Sequence, residues 1–165
     1  MATEQVRTYL NRWSRGNDVI EMAISTATVE LAASALGVIP ARIAKSISLR
    51  YDGHESEGSK AIIIVASGDM KIDNRKFRDE FKFKPRMLSA EEAKEFTGHS
   101  IGGVCPFALP EGVEVWLDSS MKRFETIFPA CGSSNSVIEL TLAELEEYSQ
   151  SRGWVDVCVA RSTAP

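Results

Sequence analysis

Ile43-Ala44-Lys45-Ser46-Ile47-Ser48-Leu49-Arg50-Tyr51 is the stretch on which the fold turns. Ile43, Lys45, Ile47, Leu49 and Tyr51 alternate with Ala44, Ser46, Ser48 and Arg50. A period of two residues marks a β-strand with one face towards a core. Asp52-Gly53 then opens a polar loop to about Ser59. Beyond it, Ala61-Ile62-Ile63-Ile64-Val65-Ala66 is apolar without a break, as expected of a central strand covered on both faces. Together the two strands put a sheet at the centre of the molecule.

Working outward, the helices announce themselves by caps and periodicity. Val6, Tyr9, Leu10 and Trp13 recur at helical spacing, with Gly16 as a stop. Thr28 to Leu36 reads as a helix ended by Gly37, and Pro40 suits the first turn of a short connecting helix. Asp73 caps a helix bearing Phe77 and Phe81. Ser89 with Glu92, and Thr141 with Glu144, form capping boxes for two more. Further strands are predicted over Val113–Leu117, Glu125–Phe128, Val137–Leu140 and Val155–Val159, giving at least six. Helices and strands mix without a regular βαβ rhythm. The expected class is therefore α/β with a curved, partly barrel-like mixed sheet flanked by helices. No linker or repeat divides residues 1–165, so one domain is expected, with residues 1–25 as a helical extension.

Composition narrows the function classes. The chain has 165 residues, 44% of them hydrophobic, enough for a real core. The N-terminus, Met1-Ala2-Thr3-Glu4-Gln5, is polar, and no run suits a signal peptide or membrane span. A cytoplasmic location with no membrane partner is expected. Cys105, Cys131 and Cys158 form no CxxC pair, and the two histidines are His54 and His99. Neither a metal site nor a cofactor is indicated. The net charge of −4 argues against broad duplex binding. Charge is uneven, however. Lys71, Arg75, Lys76, Arg78, Lys82, Lys84 and Arg86 crowd one segment against Asp73, Asp79 and Glu80. That segment is either a phosphate-contacting surface or a solvated helix face.

Few residues suit chemistry. Gly102-Gly103-Val104-Cys105-Pro106-Phe107 joins a flexible diglycine to a stiff proline. Such a loop is either a tight connection or a cradle of backbone amides for an anion or oxyanion. Lys45 interrupts an apolar strand face; it either snorkels to water or lines a cleft and meets an anion. Asp118 ends its strand before Ser119-Ser120, where it caps a turn or orients a substrate. Gly132-Ser133-Ser134-Asn135 is a second small loop that could wall a pocket beside the first. His99, at the edge of the main loop, is a proton carrier or inert; His54 reads as inert. No HExxH, GxSxG, Walker loop or strand-linked GxGxxG is present. Catalysis, if any, would rest on positioning and backbone donors.

In order, the chain carries Ala32-Ala33-Ser34-Ala35-Leu36-Gly37-Val38, Ile43-Ala44-Lys45-Ser46-Ile47, Gly68-Asp69-Met70-Lys71-Ile72-Asp73, Gly102 to Phe107, Leu117-Asp118-Ser119-Ser120, and Gly132 with Ile138-Glu139-Leu140. This order resembles the YbaK/prolyl-tRNA-editing-domain family of aminoacyl-tRNA deacylases, over about residues 26–150. The resemblance implies a mixed α/β fold and hydrolysis of the ester of a mischarged tRNA, in trans or within a synthetase. The substrate class implied is tRNA-Pro or a related tRNA carrying Ala, Cys, Ser or Thr. It implies that Lys45 contacts the terminal nucleotide or substrate and that the Gly102 and Gly103 amides hold the aminoacyl carbonyl. Val104, Cys105, Pro106, Phe107, Asp118, Gly132 and Ser133 would line the pocket. Lys71, Arg75, Lys76 and Arg78 are the tRNA-contact candidates, and a synthetase is a further partner. Departures are Cys105 where serine is common, Ala108 where glycine is common, and the absence of an arginine from the Gly132 loop. They motivate two rivals: a non-catalytic module binding a tRNA end or nucleotide, and a small-molecule hydrolase with Cys105 as nucleophile.

Overall fold

The computed structural model describes residues 2–51 and 61–161. The predicted Asp52–Ser59 loop, and His54 with it, lie outside the described residues.

The centre is a six-stranded curled, half-barrel sheet. In chain order its strands are β2 (Ile43–Arg50), β3 (Ala61–Ser67), β5 (Glu114–Asp118), β6 (Thr126–Pro129), β8 (Leu140–Thr141) and β9 (Trp154–Val155). They lie side by side as β8-β6-β2-β3-β5-β9. β2 and β3 pair antiparallel, Ala44 opposite Ser67 through Arg50 opposite Ala61. β3–β5, β5–β9 and β2–β6 are parallel, and β6–β8 is antiparallel. Every residue of β3 is buried, as the unbroken apolar run requires. Four short strands lie outside this sheet: β1 (Ile20–Glu21) pairs β7 (Ser136–Val137), and β4 (Met70–Ile72) pairs β10 (Cys158–Ala160).

Among the described residues five α-helices flank the sheet: α1 (Ala2–Leu10), α2 (Val29–Leu36), α3 (Asn74–Phe81), α4 (Ala90–Thr97) and α5 (Leu142–Ser149). Asp73, Ser89 and Thr141 are the caps predicted, and Thr28, expected as the first helical residue, caps α2 instead. Each accepts a backbone N–H of the first turn, and both capping boxes close. Gly37 ends α2 in the left-handed region, at φ 70°.

Some boundaries differ from expectation. α1 ends at Leu10, and a 3-10 turn over Asn11–Trp13 stops at Ser14, itself left-handed, before Gly16 is reached. The predicted Val137–Leu140 strand is two short strands, β7 and β8, each with a different partner. The last alternation likewise divides into β9 and β10. β3 ends at Ser67, where Gly68-Asp69 turns the chain into β4.

Two cores lie on opposite faces of the β2–β3 pair. Ile62, Ile64 and Ala66 face Leu49, Phe77 and Val157. Ile63 and Val65 face Ala44, Cys105, Phe107, Leu117 and Leu145. α1 belongs to this second core, since Val6 and Leu10 are fully buried in it. Trp13 stacks on Tyr148 at 4.5 Å between centroids, and the Tyr9 hydroxyl donates to the Tyr148 carbonyl. The segment expected as an extension therefore closes the core.

Candidate functional site

The sheet has an opening along the outer edge of β2. β6 reaches only Ile43 and Ala44. At the other end, the Arg50 N–H donates to the Arg86 carbonyl at 2.8 Å, and the Leu88 N–H donates to the Ser48 carbonyl at 3.3 Å. Between these contacts, around Ser46, a cavity of about 180 Å³ opens. The segment entering α2 (Thr26 to Val29) borders it, as do β2 from Ile43 to Ser46, Met87 and Leu88. Ile101, Gly102, Val104, Phe128, Ala130 and Val137 complete the wall. Lys45, Gly102 and Val104, far apart in sequence, thus meet around one space.

Lys45 both borders the cavity and reaches out of it. Its Nζ donates to the Met70 carbonyl at the start of β4. Burial lowers the pKa of this half-buried amine, and the Arg161 guanidinium adds to the effect.

The glycine loop uses its two glycines differently. Gly102 stands at φ +90°, in the region glycine favours. Gly103 is needed for closeness: a Cβ there would lie 2.9 Å from the Gly132 carbonyl carbon and from Ser133 N and Cα. The Gly103 N–H donates to the Ser100 carbonyl at 2.9 Å. It is spent within the turn, and this corrects its expected use as a carbonyl donor. The N–H groups of Gly102 and Val104 donate to no acceptor among the described residues.

Other residues expected to line the pocket lie elsewhere. Cys105 and Phe107 are fully buried in the core beneath the loop. Burial pushes the Cys105 thiol up to about 12, which removes it as a nucleophile. Pro106 borders a different hollow, beside Tyr9 and Leu109. Asp118 is 1% exposed. Its two oxygens accept the Ser120 N–H at 3.0 Å and the Val157 N–H at 2.9 Å. Asp118 therefore caps one turn and pins the chain between β9 and β10. Gly132 and Ser133 pack on Gly103, while Ala130 and Val137, on either side of their loop, face the cavity.

Lys71, Arg75, Lys76 and Arg78 do not border the cavity. Lys76 pairs with Asp156 at 3.0 Å and donates to the Cys158 carbonyl.

His99 is fully buried. Its Nε2 lies 2.8 Å from the Phe107 carbonyl, so that nitrogen carries the proton, and Nδ1 has no partner. The ring thus ties the two ends of the glycine loop together. Ala108, at φ 55°, occupies the left-handed region. Glycine adopts that conformation at no steric cost, which gives a physical reason for glycine being common there.

Sequence reasoning missed Ser46. Its Oγ is buried and meets no partner, and the residue borders the cavity. The available signal was its place on the polar face of β2, read as a solvent face because the opening in the sheet was not foreseen. Among the described residues no cluster of His, Cys, Asp and Glu could hold a metal ion, and no helix is long and apolar enough to cross a membrane.

The chain is 57% identical to the "Uncharacterized protein YwhH" of Bacillus subtilis (strain 168), over 96% of this chain and 98% of that one. It is 28% identical to a proline–tRNA ligase of Bacillus licheniformis over 59% of this chain, a match spanning 16% of the ligase. A solved structure described as "a putative trans-editing enzyme for prolyl tRNA synthetase" superposes with a TM-score of 0.82 at 25% identity, covering 98% of each chain. The aminoacyl-tRNA editing domain model matches residues 24–148. With that match across most of the sheet and all of the cavity wall, the chain belongs to the aminoacyl-tRNA editing domain family.

Proposed function

We propose that the chain is a trans-acting deacylase that hydrolyses the ester of a mischarged tRNA. The substrate is tRNA-Pro or a related tRNA carrying a small amino acid such as Ala, Cys, Ser or Thr. The observation that carries this reading is the meeting of Lys45 with the unspent Gly102 and Val104 amides around one cavity whose wall, among the described residues, holds no cysteine, histidine or carboxylate to activate a hydroxyl. Water attacks the ester carbonyl carbon while the two amides hold the developing oxyanion. The vicinal ribose hydroxyl takes part in activating that water. The bond from the carbonyl carbon to the ribose oxygen breaks, releasing the amino acid and restoring the sugar hydroxyl. Lys45 anchors the sugar or the terminal phosphate. The tRNA acceptor end is the partner, a synthetase is a second one, and the compartment is the cytoplasm.

The test is a panel of Ala-, Cys-, Ser- and Thr-charged tRNAs, hydrolysed by the wild type and by Lys45→Ala. A lost hydrogen bond from a charged donor is worth about 1.5–3 kcal/mol, so kcat/KM should fall roughly 10- to 150-fold. Wild-type rates in the variant would refute the role of Lys45. Binding of charged tRNA with no turnover by the wild type would replace the deacylase with a binding module.

A further inference from the structure

Three cations converge on one tight turn beside the cavity, one on each of three consecutive residues. Arg161 Nη1 donates to the Gly68 carbonyl at 3.4 Å, and its backbone N–H donates to the Asp69 carbonyl at 2.8 Å. Arg123 grips the Asp69 carboxylate with both terminal nitrogens, at 2.7 and 3.0 Å. Lys45 donates to the Met70 carbonyl. The only carboxylates in these contacts are Asp69 and Glu30, the latter 3.4 Å from Arg161. Buried Asp118 also acts on Arg123, but its oxygens are spent on the Ser120 and Val157 N–H groups; three cations thus gather on one turn in a protein whose net charge is −4.

We propose that the Gly68–Met70 turn, with Arg123 and Arg161, seats the phosphodiester backbone of the RNA whose acylated end enters the cavity. The inference rests on the deacylase reading and names the surface that receives its substrate. Lys45 links the two places, because it borders the cavity and ends on this turn. The side chains of Arg161 and Glu30 are 43% and 64% exposed, and a single-contact exposed pair of this kind is worth about 0–1 kcal/mol, so Arg161 is free to exchange it for phosphate. Arg123 is held two-pronged by Asp69 and reaches phosphate by sharing its charge beside that carboxylate. Helix α3, the basic segment singled out in the sequence, is a weaker seat. Asp79 and Glu80 offset its Arg75 and Arg78, and none of its residues borders the cavity.

The experiment measures binding of an uncharged RNA hairpin carrying the single-stranded tRNA 3′ end, by anisotropy across a salt series. For the double variant Arg123→Gln, Arg161→Gln, two lost phosphate contacts on a single strand should flatten the slope of log K against log salt by about 1.4. Affinity should fall at low salt. Arg75→Gln with Arg78→Gln should leave both unchanged. Hydrolysis of a phosphate-free aminoacyl-adenosine should proceed in Arg123→Gln as in the wild type, and its loss there would overturn a purely phosphate-seating role. Arg161→Gln alone repeats the binding test should the double variant melt early, with a slope change of about 0.7 expected. An unchanged slope in these variants, or the loss appearing in the α3 variant instead, overturns the proposal. So does a wild type that does not bind the hairpin. A wild type that binds it with the expected arginine dependence but hydrolyses no charged tRNA overturns the deacylase reading and leaves the phosphate seat standing.

Discussion

Replacing Gly103 with alanine isolates what the close packing of two loops contributes. The backbone of Gly103 is not in the left-handed region, so alanine meets no torsional obstacle there. The obstacle is space. The new methyl would stand 2.9 Å from three backbone atoms of Gly132 and Ser133, where carbon contacts prefer about 3.5–4.0 Å. Backbone cannot rotate out of the way as a long side chain can, so the loops must part by roughly 0.5–1 Å, the shortfall from that contact distance. Overpacking of this kind costs about 1–3 kcal/mol, and the stiffer unfolded chain returns about 0.4–1 kcal/mol. A net loss of about 1–2 kcal/mol lowers Tm by roughly 2–8 °C in a chain of this size. The same shift carries the Gly102 and Val104 amides away from the cavity, and a misplacement near 1 Å costs on the order of 10²-fold in rate. Thermal melting followed by circular dichroism and steady-state deacylation of a charged tRNA measure the two effects. A Gly103→Ala protein that melts with the wild type and keeps its kcat/KM would refute both the packing argument and the placement of the donors.

Three more expectations concern single side chains. Ser46→Ala removes a buried hydroxyl that has no partner; it should melt at or above the wild type, because an unsatisfied buried group costs about 1–3 kcal/mol. If that hydroxyl meets substrate, deacylation by Ser46→Ala falls despite the gain, and full activity would show that it does not. Burial holds the His99 pKa below its ordinary value, with the Phe107 carbonyl opposing. The unfolded chain therefore takes up the proton first, so the contribution of neutral His99 is intact above about pH 6.5, the ordinary value, and is lost as pH falls below it. Urea unfolding across this range should show a slope in the wild type that His99→Gln lacks; the same slope in both would refute the assignment. Ala108→Gly should raise Tm, since alanine in the left-handed region costs about 1–2 kcal/mol against the smaller entropy returned to the unfolded chain. A lower Tm would mean that the methyl packs better than the conformation costs.

Local signals carried much of this protein. The caps Asp73, Ser89 and Thr141 could be read directly, because a cap is a contact between residues a few positions apart. The unbroken Ala61–Ala66 run identified the central strand, because burial on both faces leaves no room for alternation. The order of motifs identified the family and, with it, Lys45 and the glycine loop. Tertiary structure decided what those residues do. Cys105 and Phe107 sit in the most suggestive loop of the sequence, yet they point into the core, since one side of a covering loop must bury its apolar groups. Gly103 spends its N–H on Ser100, a bond that depends on how the turn closes. Ser46 became a site residue, and α1 a core element, because β6 leaves β2 early and Val6 and Leu10 find an uncovered face. Those outcomes depend on which distant segments meet, and sequence spacing holds no record of it. The gathering of Lys45, Arg123 and Arg161 on three neighbouring residues is of the same kind, set by where β3 turns into β4 and where β10 ends beside it.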